Sequence, residues 1–129
     1  MEATLRRIAL MIAWLIATPA AGAAAQEGAG VSDLEYEGWR QYNVHCARCH
    51  GQDALPNPVA ANLLESLAPG GPAADQGTFT KIVMEGLTSR GMPAFKGMLE
   101  PGHVEATYGY LKGRAEKRIP PGRPKRPGS

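Results

Sequence analysis

Aromatic residues, cysteine and long apolar runs are all scarce in this chain. In 129 residues there are two cysteines, two phenylalanines and three histidines, and no uninterrupted apolar run exceeds ten residues. Such a run falls short of the about 20 residues that cross a bilayer, so a spanning helix is excluded. A single cysteine pair excludes a disulfide framework and a four-cysteine zinc site. The length allows one domain at most, which removes multidomain and dinucleotide-binding readings. After residue 25 the only Phe and Trp are Trp39, Phe79 and Phe95, so the foldable body has a thin apolar supply and needs a staple.

What is present begins with Arg6 and Arg7, then the apolar residues 8–17 (IALMIAWLIA), Thr18-Pro19 and an Ala/Gly-rich stretch. A charged start, an apolar centre and a small-residue end make a secretory signal. Ala23-Ala24-Ala25 fits the cleavage rule and predicts a mature chain from Gln26, with Ala20-Ala21-Gly22 and Ala21-Gly22-Ala23 as alternative sites a few residues earlier. Residues 1–25 are read as cleaved signal, 26–32 as a flexible arm, and the compartment as the periplasm. Residues 118–129 hold four prolines and almost no apolar side chain, and are predicted to stay disordered. That leaves 33–117 for the folded domain, with no membrane span once the signal is removed.

Both cysteines lie in Cys46-Ala47-Arg48-Cys49-His50, the C-x-x-C-H pattern of covalent haem attachment. Random placement of the two cysteines and three histidines gives this arrangement roughly once in 3,000. Each thiol adds across one porphyrin vinyl group, two intervening residues match the vinyl separation on a helical turn, and the next histidine comes under the ring to bind iron. A disulfide between residues three apart would be strained. An exported redox Cys pair opens a helix after a strand, and no strand precedes Cys46. Cys46 and Cys49 are therefore read as the thioether positions and His50 as an axial iron ligand, with one haem c and its iron as the cofactor.

A sixth ligand can come from Met84, Met92, Met98, His45 or His103, or the site can be open. Met84 falls on a helical face with Phe79, Ile82 and Val83, where methionine fills core. His45 precedes the attachment turn and is expected to point away from the iron, and His103 to be solvated at the start of the last helix. Met92 lies in Gly91-Met92-Pro93-Ala94-Phe95, where glycine frees the backbone and proline stiffens it, holding a thioether on a loop. Met92 is read as the second axial ligand, with Met98 next in order.

These features resemble class I cytochromes c, the small monohaem electron carriers, over residues 35–112. Gly38 and Tyr42 look like the glycine and aromatic by which the family's first helix crosses its last, and Tyr110-Leu111-Lys112 like its terminal-helix signature. Many members follow the haem motif with Pro-Asn-Leu, whose proline carbonyl accepts from the free ring nitrogen of the axial histidine; here the match is Ala61-Asn62-Leu63, with Pro56 and Pro58 as alternative sources of that carbonyl. The resemblance implies an all-α fold of three to four helices around one covalent haem, the N- and C-terminal helices crossing. The run from Tyr42-Asn43 to Gln52-Asp53-Ala54-Leu55, the Met92-Pro93-Ala94-Phe95 loop and the Gly122-Arg123-Pro124 tail also resemble periplasmic cytochromes that take electrons from quinoprotein alcohol dehydrogenases.

Helices are expected at 33–46, from Asp75 or Thr78 to about Gly86, and at 100–117, with one turn at 62–67 inside a long loop that the haem would pack. The expected function is one-electron transfer by a monomeric carrier and not an enzyme. A quinoprotein alcohol dehydrogenase is the expected donor, and an oxidase or another cytochrome the acceptor. Nucleic acid does not suit an exported haem protein. The alternatives are a five-coordinate gas-binding or haem-enzyme module, or a subunit docked in a larger redox complex. Charge is segregated: residues 26–111 carry five basic against ten acidic side chains, and 112–129 seven basic against Glu116. The basic end is expected to steer encounter with an acidic partner.

Overall fold

Ser32 starts the first helix. Its hydroxyl accepts from the Glu35 N–H at 3.2 Å while the Glu35 carboxylate accepts from the Ser32 N–H at 2.8 Å, a reciprocal cap. The structure, a computed structural model, describes residues 30–129; the predicted signal and most of the predicted arm lie outside them. Along the chain run α1 (Asp33–His45), α2 (Ala47–His50), α3 (Leu63–Ser66), α4 (Gln76–Glu85) and α5 (Pro101–Ala115). Short 3₁₀ turns occupy Gln52–Ala54 and Thr88–Arg90. The described residues contain no strand, only two isolated bridges. Three helices of ten or more residues and two single turns make the all-α architecture.

The frame is the crossing of α1 and α5. Tyr42 and Tyr110, both fully buried, meet there with ring centroids 5.6 Å apart. Gly38 allows it: a methyl group on this residue would overlap the Ala106 carbonyl and stand 2.9 Å from the Tyr110 Cβ. Since the obstacle is backbone of the facing helix, it cannot rotate away. Gly38→Ala is expected to destabilise the protein by about 3 kcal/mol, read as a shift in the urea midpoint.

The long loop before α4 is tied to α5. Tyr108 donates to the Ala74 carbonyl at 2.6 Å and Lys112 to the Leu67 carbonyl at 3.1 Å, and Leu67 is fully buried. Asn62 caps α3 by accepting from Leu64 N–H at 3.0 Å, and Asp75 caps α4 by accepting from Thr78 N–H at 2.8 Å. Phe79 of α4 closes on Tyr108 at 5.4 Å between centroids.

The predicted arm and tail both need correction. Val31 is part of the core and Ser32 is the cap, so the arm is anchored at its end. The predicted disordered tail instead folds back over α1. Ile119 is buried against Gly113, its carbonyl accepting from Arg114 Nη1 at 2.7 Å. Beyond it, Arg123 donates to the Tyr36 hydroxyl at 2.9 Å and lies 5.5 Å over the Trp39 ring, while Arg126 lies 5.4 Å over Tyr36. Arg118 pairs with Glu35 at 2.6 Å. The low apolar content that suggested disorder is offset by one buried isoleucine and by guanidinium–aromatic contacts, each worth about 0.5–1 kcal/mol at an exposed site. Removing residues 120–129 should therefore cost about 1–2 kcal/mol, whereas Ile119→Ala alone should cost about 2–5 kcal/mol. Paired thermal melts check the order.

Candidate haem site

The attachment segment begins where α1 ends. The Cys46 carbonyl accepts from Cys49 N–H at 3.1 Å and from His50 N–H at 2.9 Å, and Gly51 N–H reaches Ala47 O at 2.9 Å. One helical turn thus sets Cys46, Cys49 and His50 at i, i+3 and i+4, on one side of the chain. All three line the same cleft. Burial, with the neighbouring Cys49, pushes the Cys46 thiol up to about 12. A neutral sulfur is what this environment favours, and a thioether is neutral at every pH.

Tyr42 donates its hydroxyl to the Gly51 carbonyl, fastening the residue after His50 to α1. Gly51 has φ +86°, and a Cβ there would come within 2.8 Å of Asn57 Nδ2. His50 Nδ1 lies 3.0 Å from the Ala61 carbonyl. With the proton on Nδ1, Nε2 presents its lone pair and can bind a metal. The acceptor is thus Ala61, and neither Pro56 nor Pro58 supplies it.

The facing wall is the loop after α4. Leu87 N–H donates to Met92 O at 3.0 Å and Met92 N–H returns to Leu87 O at 3.2 Å, closing a small turn. Phe95 N–H reaches back to Val83 O at 3.0 Å. Gly86, at φ +75°, lets this turn pack down: a Cβ there would stand 2.6 Å from Ala94 N and 2.8 Å from Met92 O. Met92 is half-buried and lines the cleft with His50, whereas Met98 is 59% exposed and does not line it. Met84 packs against the core. His45, expected to point away, lines the same cleft with its ring edge-on to Phe95 at 6.3 Å, because it ends α1 just before the chain turns. The packing roles of Gly86, Phe95 and Asn57 had not been read from the sequence. For Asn57 the Asn-Pro dipeptide, a turn initiator, was an available signal.

Two adjoining cavities share Cys46, His50, Ala61, Leu87, Arg90 and Met92; the larger is about 680 Å³ and the smaller about 170 Å³. Leu63, Phe79, Ile82, Val83 and Leu111 give the smaller one apolar walls. No carboxylate lines either, and Arg48 and Arg90 make the larger one positive. Among the described residues no three His, Cys, Asp or Glu side chains gather to hold a bare metal ion. Size, apolar walls, two thiols on one turn, an oriented imidazole and positive charge for carboxylate groups all fit a covalently held haem.

Comparison with known proteins agrees. The profile of the family described as cytochrome c oxidase, cbb3-type, subunit III matches residues 34–111. The chain belongs to this family of cytochromes c. Two curated relatives of the cytochrome are dehydrogenase subunits of quinone alcohol dehydrogenases. The one from Acetobacter aceti is 35% identical over 60% of this chain, and the one from Gluconobacter oxydans (strain 621H) 32% over 63%. The matched stretch spans only 10% of each relative's length. Among solved structures, the c-type cytochrome XoxG from Methylobacterium extorquens AM1 superposes with a TM-score of 0.60 at 27% identity, covering 71% of this chain and 57% of that one. The cytochrome is thus a monohaem c-type domain with haem c and its iron as cofactor.

Proposed function

We propose that this cytochrome is an exported one-electron carrier whose haem is held by thioethers from Cys46 and Cys49 and whose iron is bound by His50 and Met92. The observation that carries the reading is that His50, oriented by the Ala61 carbonyl at 3.0 Å, and Met92, pinned by its paired backbone bonds to Leu87, line one cleft from different walls. When bound there, the group supplies an iron that alternates between ferric and ferrous, with a soft thioether favouring ferrous. In the chain, His50 and Met92 would hold the iron, Leu63, Ile82 and Val83 would keep water from it, and Arg48 and Arg90 would offset the charge of its carboxylate groups. With both positions filled there is no open site for substrate, so the cytochrome is a carrier and not an enzyme.

The donor is a quinoprotein dehydrogenase, a reading supported by the likeness to segments of two quinone alcohol dehydrogenase subunits. The acceptor is an oxidase or another cytochrome. Export to the periplasm rests on residues 1–25, whose composition is that of a signal; among the described residues no helix is long and apolar enough to cross a membrane. Mixing the oxidised holoprotein with a quinoprotein alcohol dehydrogenase and its alcohol should reduce the haem within the enzyme's turnover time. Reduction no faster than with enzyme omitted would overturn the donor assignment. The family's description as an oxidase subunit favours a second reading, a permanently docked subunit, and gel filtration of native extract separates free from bound protein.

A further inference from the structure

The last residues before α3, 58–60, are held by one side chain. Among the described residues, no backbone–backbone hydrogen bond involves residues 56–61. Asn57 takes that role: its Nδ2 donates to the Cys49 carbonyl at 3.2 Å, and its Oδ1 accepts from the N–H groups of Val59 at 2.8 Å and Ala60 at 3.4 Å. The next residue is Ala61, whose carbonyl stands 3.0 Å from His50 Nδ1. A single amide therefore connects the turn that carries the histidine with the two residues just before the carbonyl that lies against its ring. Gly51 leaves room for it, since a Cβ at that position would crowd Asn57 Nδ2 at 2.8 Å.

We infer that Asn57 is a positioning residue for the axial histidine, holding the Ala61 carbonyl against His50 Nδ1 and so tuning the potential of the iron. The inference rests on the proposal that His50 is an iron ligand. A firm acceptor at Nδ1 makes Nε2 a stronger donor to the metal and favours the ferric state. When residues 58–61 lose their tie, the carbonyl drifts, the imidazole donates less, and ferrous iron gains. The alanine at position 61 makes the dependence stronger, because it lacks the fixed φ of a proline. Its N–H makes no hydrogen bond among the described residues, so a proline there removes none.

The test uses the full-length holoprotein. Asn57→Ala should raise the ferrous-to-ferric ratio at fixed ambient potential about threefold, roughly 28 mV at 59 mV per decade for one electron. It should also speed deuterium exchange of the His50 Nδ1 proton, read by NMR in the reduced protein. Asn57→Ala combined with Ala61→Pro should recover most of both effects. Asn43→Ala removes an exposed amide that bonds only the Trp39 carbonyl on α1, and should change neither. If Asn57→Ala does not fold, Asn57→Ser keeps a neutral acceptor for the Val59 N–H while losing the bond to Cys49, and should shift both readouts in the same direction by less. An unmoved potential and exchange rate with the haem spectrum intact, or an equal shift in Asn43→Ala, would overturn the inference while leaving the ligand assignment in place. A native spectrum without histidine ligation would overturn the assignment itself, and the inference with it.

Discussion

Cys46→Ala combined with Cys49→Ala is expected to leave a chain with no cooperative thermal transition. The cleft that the haem would fill is about 680 Å³ and, with the smaller cavity that adjoins it, is lined by residues from all five helices and by the loops before α3 and after α4. Empty core volume costs about 24 cal/mol per Å³. An open cleft can collapse, so only part of that applies; even a quarter of the volume amounts to about 4 kcal/mol. A body of this size has only about 5–14 kcal/mol in total. The covalent link between the attachment turn and the rest is lost as well. Differential scanning calorimetry of the haem-free variant checks this, and a sharp endotherm would mean that the crossing of α1 and α5 suffices without the haem.

The second large effect is expected at Met92. Met92→Ala should open an axial position, admit carbon monoxide to the reduced protein and lower the potential by roughly 0.2 V, a fraction of the ~0.8 V that axial ligation spans. Met98→Ala should leave spectrum and potential nearly unchanged, because its side chain is largely in solvent outside the cleft. Potentiometry and carbon monoxide titration of both variants check the pair. The reverse pattern would move the ligand to Met98, and no change in either would favour an open site.

Local grammar explains what could be read without coordinates. The capped start of α1 is written in Ser32 and Glu35, three apart, and its buried stripe in Tyr36, Trp39 and Tyr42. The attachment turn is legible because the chemistry fixes its spacing. The helix crossing was legible in Gly38 through family likeness, and the structure adds the reason: the Ala106 carbonyl occupies the space a side chain would need. Contacts between distant segments left no such mark. Arg114 is buried with its charge spread over three hydrogen bonds to the Asp53 and Ile119 carbonyls, a role that no neighbouring residue announces. The tail failed for the same reason, since Arg123 and Arg126 find Trp39 and Tyr36 more than 80 residues away. That His45 also lines the cleft follows from where α1 ends, which periodicity does not specify to the residue.

The folded tail also changes what its charge can do. Its guanidinium groups lie over Tyr36 and Trp39 in the first half of α1, while the cleft is built on the end of that helix, from Val44 to His50. Arg48 and Arg90, both exposed at the cleft, are the cations that would stand beside a bound haem.

The most direct measurement is the absorption spectrum of the reduced holoprotein before and after carbon monoxide at neutral pH. An iron held by both His50 and Met92 should give a six-coordinate ferrous spectrum that carbon monoxide leaves unchanged. Rapid formation of a carbon monoxide adduct in the unmodified protein would contradict a two-ligand electron carrier and show an open axial position.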